Sequence, residues 1–129
     1  MPKAFLTLTL LSDQFAICRV PIGSIPQWAL QGTFYSITKA PDELLSIVCS
    51  ARHVPEEVKS DRGWRVLKFE GPLDIELTGV MASVADPLAE AGVPIFPLAT
   101  YATDYVLIKE EQVEVATRAL TAFGHAVRE

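Results

Sequence analysis

The sequence predicts an α+β protein built from one small unit used twice, and three observations carry that expectation. Shifting the 129-residue chain on itself by 61 positions places Asp13 on Asp74 and Pro26 on Pro87. The same shift lays segment 34–48 over segment 95–109, so that Phe34, Tyr35, Ile37, Leu44 and Ile47 meet Ile95, Phe96, Leu98, Tyr105 and Ile108. An acid falls at both turns, Glu43 over Asp104, and a fixed period of this kind is what duplication leaves behind. Units of about 60 residues bury too little surface to be stable alone, so the two halves, 1–62 and 63–129, are expected to pack together.

The first half opens with two strands. Phe5 to Leu11 alternates apolar residues with threonine, and Phe15 to Val20 resumes after a turn of Ser12, Asp13 and Gln14. Ile25 to Leu30, bounded by Gly23 and Gly32 and with Pro26 near its start, reads as a short helix. Phe34 to Lys39 and Leu45 to Ser50 form a hairpin around Ala40, Pro41, Asp42 and Glu43. The polar stretch Val54 to Gly63 reads as a linker.

Trp64 to Phe69 starts the second half as a strand that Gly71 and Pro72 stop. Leu77, Val80, Met81, Val84 and Leu88 recur at helical spacing, which predicts a helix over Thr78 to Ala91 with Thr78 as N-cap and Gly92 beyond its end. Pro87 lies inside that helix and cannot donate back to Ser83. Val93 to Thr100 and Asp104 to Lys109 make a second hairpin, Glu110 to Phe123 a second helix, and His125 to Arg128 a final strand. The order strand, helix, strand, strand, helix, strand is the ferredoxin-like plan, an antiparallel sheet with both helices on one face. The first half repeats it imperfectly: Phe15 to Val20 is an extra strand and the second helix is a fragment.

Composition narrows the function classes. Half of the residues are apolar and 21% are charged, which excludes a disordered chain. No run approaches the roughly 18 apolar residues of a membrane span, and Asp13 follows Phe5 to Leu11 without a small-residue cleavage site, so a cytoplasmic protein is expected. A net charge of −5, with eleven Lys and Arg scattered among sixteen acids, argues against nucleic acid. Cys18 and Cys49 sit in apolar runs without metal-ligand spacing and read as inert core thiols. His53 and His125 stand alone, and no Gly-x-Ser-x-Gly elbow or Gly-Lys-Ser/Thr loop is present. Acylphosphatases share the ferredoxin-like plan but need an arginine and an asparagine, and the chain has no asparagine. No catalytic residue, cofactor or metal is therefore expected.

The stretch Leu77 Thr78 Gly79 Val80 Met81 Ala82 Ser83 Val84 Ala85 Asp86 Pro87 Leu88 Ala89 Glu90 Ala91 Gly92 Val93 Pro94 Ile95 resembles the ACT domain: a turn, a glycine, a helix ending in Leu-Ala-x-x-Gly, and a strand. Pro26 to Leu30, Phe34 to Lys39, Asp42 to Leu44 and Thr100 to Tyr105 are similar to the tandem-ACT branch that includes the Castor-type arginine sensors. The resemblance implies two ACT units with their sheets side by side, and an effector site near the loop after the first strand and the neighbouring hairpin. In this chain those places are Asp74 to Val80 and Pro97 to Asp104, with Asp13 to Ala16 and Ser36 to Glu43 as first-half counterparts. It further implies a regulatory role, an amino acid or related small metabolite as ligand, and a protein partner or a homodimer to report occupancy.

A free amino acid needs amide donors for its carboxylate and oxygens for its ammonium. Gly79 and Val80 at a helix start offer the amides, with Leu77 beside them in the candidate set and the Thr78 hydroxyl able to orient a polar group. Asp74, Glu76 and Asp104 are the nearby acids, and Thr100 and Thr103 carry hydroxyls. Each has a structural reading beside this one: Asp74 as a turn residue, Asp104 as a strand starter, Thr78 as a cap, and Tyr101 either as a pocket wall or as packing on the sheet. A module for protein interaction or dimerisation through sheet edges, with no working ligand site, is the competing expectation.

Overall fold

The computed structural model describes residues 5–41, 44–71, 73 and 78–129. Its strands are β1 (Thr7–Leu10), β2 (Phe15–Val20), β3 (Ser36–Thr38), β4 (Leu45–Ser50), β5 (Ser60–Phe69), β6 (Phe96–Ala99), β7 (Asp104–Lys109) and β8 (Ala126–Arg128), with helices α1 (Val80–Glu90) and α2 (Val113–Phe123). Short 3₁₀ turns cover Gln27–Leu30, Ala51–His53 and Glu110–Gln112. Among the described residues no helix is long and apolar enough to cross a membrane.

The chain divides into an inserted unit, Asp13–Trp64, and a host unit made of Arg65–Glu129 with the N-terminal segment through Ser12. A single cut between 62 and 63 therefore misses one element: β1 packs with the second half, not the first. In the inserted unit β2 pairs antiparallel with β4, β3 lies on the far edge of β4, and residues 60–64 of β5 pair with β2. That gives the order β3-β4-β2-β5. Period two then sorts the side chains. Ala16, Cys18 and Val20 of β2 and Leu45, Ile47 and Cys49 of β4 join Ala29 and Val54 in one buried cluster, against which Trp28 of the first 3₁₀ turn packs. Ile17, Arg19, Ser46 and Thr38 take the other positions of the alternation and so belong to the opposite face. Phe15–Val20 is the first strand of this unit rather than an extra strand, because β1 belongs to the host unit; it follows a turn in which Asp13 accepts from the Gln14 amide at 3.0 Å. Asp13 Oδ2 also takes the Ser50 hydroxyl at 2.5 Å and Arg52 at 2.6 Å, closing the end of the β2–β4 pair.

In the host unit β1 pairs antiparallel with β5 and parallel with β8, so that Leu8 lies opposite both Phe69 and Val127. On the other side β7 pairs with β5 and β6 with β7, for the order β6-β7-β5-β1-β8. Leu8, Leu10, Leu67, Phe69, Val106 and Ile108 face Val84 and Leu88 of α1 and Ala116 and Leu120 of α2 in one core. The helices form because their apolar residues repeat every three to four positions: Val80, Val84 and Leu88 are buried on α1, Ala116 and Leu120 on α2.

Pro87 leaves its mark where expected. It cannot donate to Ser83, and the freed Ser83 carbonyl instead lies 2.8 Å from His125 Nε2. The Leu6 amide donates to His125 Nδ1 at 3.0 Å, so Nε2 carries the proton and donates. His125, 3% exposed, thus ties β1, α1 and β8 together by satisfying a donor and an acceptor.

Three further sequence expectations need correction. Residues 60–63, read as linker, begin β5. The N-cap of α1 is Gly79 at φ 78° with no side-chain cap, so Thr78 does not cap it. The 61-residue offset also fails in detail. Ile37 pairs with Ile47, but their shifted equivalents do not pair, because Leu98 lies opposite Tyr105. The hairpins correspond as elements, and their turns differ in length.

Candidate functional site

Each unit has a corner where the loop leaving one strand meets a hairpin turn. In the host unit this corner lies between the end of β5 and the β6–β7 turn, the location indicated by residues 97–104. Asp74, Glu76 and Leu77 lie outside the described residues. The rest of the corner is tightly bonded. Thr103 Oγ1, buried, donates to the Phe69 carbonyl at 2.6 Å, and the Leu73 amide donates to the Ala102 carbonyl at 2.8 Å. Thr100 Oγ1 donates to the Thr103 carbonyl at 2.7 Å and accepts from the Thr103 amide at 3.2 Å. Both threonine hydroxyls expected to orient a ligand are thus engaged with backbone. Gly71 makes the closure feasible, since a Cβ there would sit 2.8 Å from the Leu73 nitrogen.

The remaining site residues differ in access. Thr78 and Gly79 are exposed, and Val80 is buried with its side chain in the core. The left-handed φ of Gly79 suits a residue without Cβ, and it leaves the first amides of α1 without a side-chain acceptor from the cap residue. Asp104 begins β7 opposite Ala99 and is half-buried. Tyr101 is 85% exposed at the turn.

In the inserted unit the comparable corner lies where β2 ends and the β3–β4 hairpin turns. It is open. A cavity of about 690 Å³ is lined by Ile17, Arg19, Ile22, Thr38, Leu44 and Ser46, among others. Asp13, the sequence counterpart of Asp74, is not part of it. Phe15 pairs with Ser50 and Val20 with Leu45, so Asp13 lies at the opposite end of β2 from the turn. Sequence reasoning missed Arg19. Its signal was available: a lone cation within the otherwise apolar run Phe15 to Val20.

Cys18 and Cys49 are free and buried on the covered face of this sheet. Their mutual hydrogen bond holds Cys49 well above the ordinary thiol range, with burial adding to it, and draws Cys18 below that range, so only Cys49 has the raised value of an inert core thiol. Among the described residues no group of three His, Cys, Asp or Glu gathers to hold a metal ion.

The fold and corners define an α+β protein of the ACT type, and comparison with known proteins agrees. The ACT domain model matches residues 59–122, and a second model, described as an N-terminal domain, matches residues 13–57. The chain belongs to the ACT-domain family, with similarity to its Castor-type members. It is 27% identical over 104 residues to human CASTOR3P and 28% identical over 97 residues to the bovine cytosolic arginine sensor for mTORC1 subunit 1. Those matches cover 69% and 67% of this chain but only 62% and 30% of the two relatives. The crystal structure of protein Atu0741 from Agrobacterium tumefaciens is similar over nearly the full length, with 35% identity, a TM-score of 0.91, and 98% of this chain and 95% of that one covered.

Proposed function

We propose that this chain is a non-catalytic regulatory protein that binds a free amino acid, and that its two units are ferredoxin-like copies, one inserted in the other. The single observation that carries the binding reading is the start of α1. Gly79, exposed and left-handed, opens an 11-residue helix whose first amides receive no side-chain cap from any described residue, and those amides are ready donors for a carboxylate. Similarity to an arginine sensor supports the ligand class. Asp104, half-buried at the neighbouring hairpin, is the acid assigned to the ammonium.

Thermal unfolding of the chain with each common amino acid tests this. A ligand present at about a hundred times its dissociation constant stabilises by roughly 2.7 kcal/mol, a shift of several degrees for a protein of this size. Asp104→Ala should then weaken binding while leaving the unliganded midpoint in place. Silence across all amino acids would sink the reading. It would favour an interaction module, for which the exposed Ile22, Ile25, Tyr35 and Leu44 provide apolar surface.

A further inference from the structure

Arg19 has no function in the reading above, and its setting is specific. β2 is flanked by β4 on one edge and β5 on the other, so a cation here does not guard an exposed strand edge. Its neighbours along the strand, Ile17, Cys18 and Val20, are apolar. Among the described residues no side chain pairs with its guanidinium. Across the sheet, Arg19 lies directly opposite Ser46, and Ser46 directly opposite Thr38. Directly opposed residues have Cβ atoms about 4.5–5.5 Å apart on one face. A guanidinium and two hydroxyls therefore stand in one row across three strands, all lining the same cavity of about 690 Å³. That volume falls in the range of small-molecule sites, roughly 300–1,000 Å³. The remaining walls are apolar and accessible: Ile22 is 51% and Leu44 40% exposed.

We propose that this face of the inserted unit is a second binding site, for a small carboxylate carrying a short branched apolar chain. Arg19 takes the carboxylate, Ser46 and Thr38 donate to its oxygens, and Ile17, Ile22 and Leu44 cover the chain. The chemistry is shared by apolar amino acids and by the acids that lack their amino group. Arginine is suited to the role because its planar fork matches a carboxylate bidentately and its charge survives partial desolvation. The site is separate from the start of α1, so either can fail alone.

The test is a titration of the ¹⁵N-labelled full chain with sodium 4-methylpentanoate, with 4-methylpentan-1-ol as the neutral match and leucine as the amino-acid arm. The carboxylate should shift amides of residues 17–20, 22, 38–40 and 44–46. The alcohol should bind at least about tenfold more weakly, and Arg19→Gln should cost the carboxylate a similar factor, since hydrogen bonds to charged groups contribute about 1.5–3 kcal/mol. Leucine binding as well as the acid assigns the site to amino acids; weaker binding assigns it to acids without the ammonium. Response only near residues 78–80 and 100–104 would support the α1 site and overturn this one. Equal binding of acid and alcohol, no response at about 10 mM, roughly ten times a millimolar dissociation constant, or line broadening at residues 17–22 that grows with protein concentration alone would also overturn it. The last outcome would mark the face as a contact between copies of the chain.

Discussion

The two loop–hairpin corners occupy similar places in their units and use opposite chemistry. In the host unit the corner is closed by the Thr103–Phe69 and Leu73–Ala102 bonds, with Gly71 allowing the close approach. In the inserted unit the corner keeps an accessible cavity, with Arg19 opposite Ser46 and Ser46 opposite Thr38. Threonine in a hairpin is therefore a poor indicator of ligand binding by itself. Whether its hydroxyl is already committed to a buried carbonyl decides its role.

The comparison can be broken experimentally. The largest effect should come from Phe69→Ala, which removes a side chain with no exposure from the host core at the closed corner. It should cost about 3–5 kcal/mol in urea unfolding; a loss below about 1 kcal/mol, the size of an ordinary surface change, would show that this corner is not anchored in the core. Next comes a matched pair of hairpin substitutions. Thr103→Val strands the buried Phe69 carbonyl and should cost about 1–3 kcal/mol. Thr38→Val, at an exposed position, should stay within about 0.5 kcal/mol. Similar losses at both positions would erase the distinction between closed and open corners.

The smallest effect is pH-dependent and belongs to the strand pair beside the closed corner. Thr9 Oγ1 donates to Glu70 at 2.6 Å and, with Lys68 and Arg128 nearby, holds its carboxyl below the ordinary range. The folded state therefore binds that proton less readily than the unfolded chain, so the stabilisation is present above the unfolded pKa, about 4.3, and is lost as pH falls through the folded value. Glu70→Gln should be less stable than the wild type at neutral pH, with the gap closing below about pH 4. A gap that widens in acid would contradict the assignment.

How much of this was legible in the sequence depended on the local pattern. β4 and β7 were read at their observed bounds, because their apolar residues are bounded by clear turn residues. The start of β5 was hidden: Ser60, Asp61, Arg62 and Gly63 have no apolar member, and only pairing with β2 makes them a strand. The membership of β1 was hidden for another reason. Its sequence shows a strand, but its partners at 67–69 and 126–128 are set by long-range pairing that no local period reveals. Of the candidate site residues, the exposure of Thr78 and Gly79 fitted a helix start, whereas the commitment of Thr100 and Thr103 to backbone carbonyls depended on tertiary geometry.

The position of β1 sets an order of events during synthesis. Thr7–Leu10 leaves the ribosome before either of its neighbours, and Ala126–Arg128 emerges more than a hundred residues later. At about 5–20 residues per second, translation from Trp64 to Ala126 takes about 3–12 s. Throughout that interval residues 13–64 already hold all four strand segments of their own sheet, while the nascent first strand lacks its parallel partner. A chain stalled at that point would carry an exposed strand edge, a template for pairing with other chains.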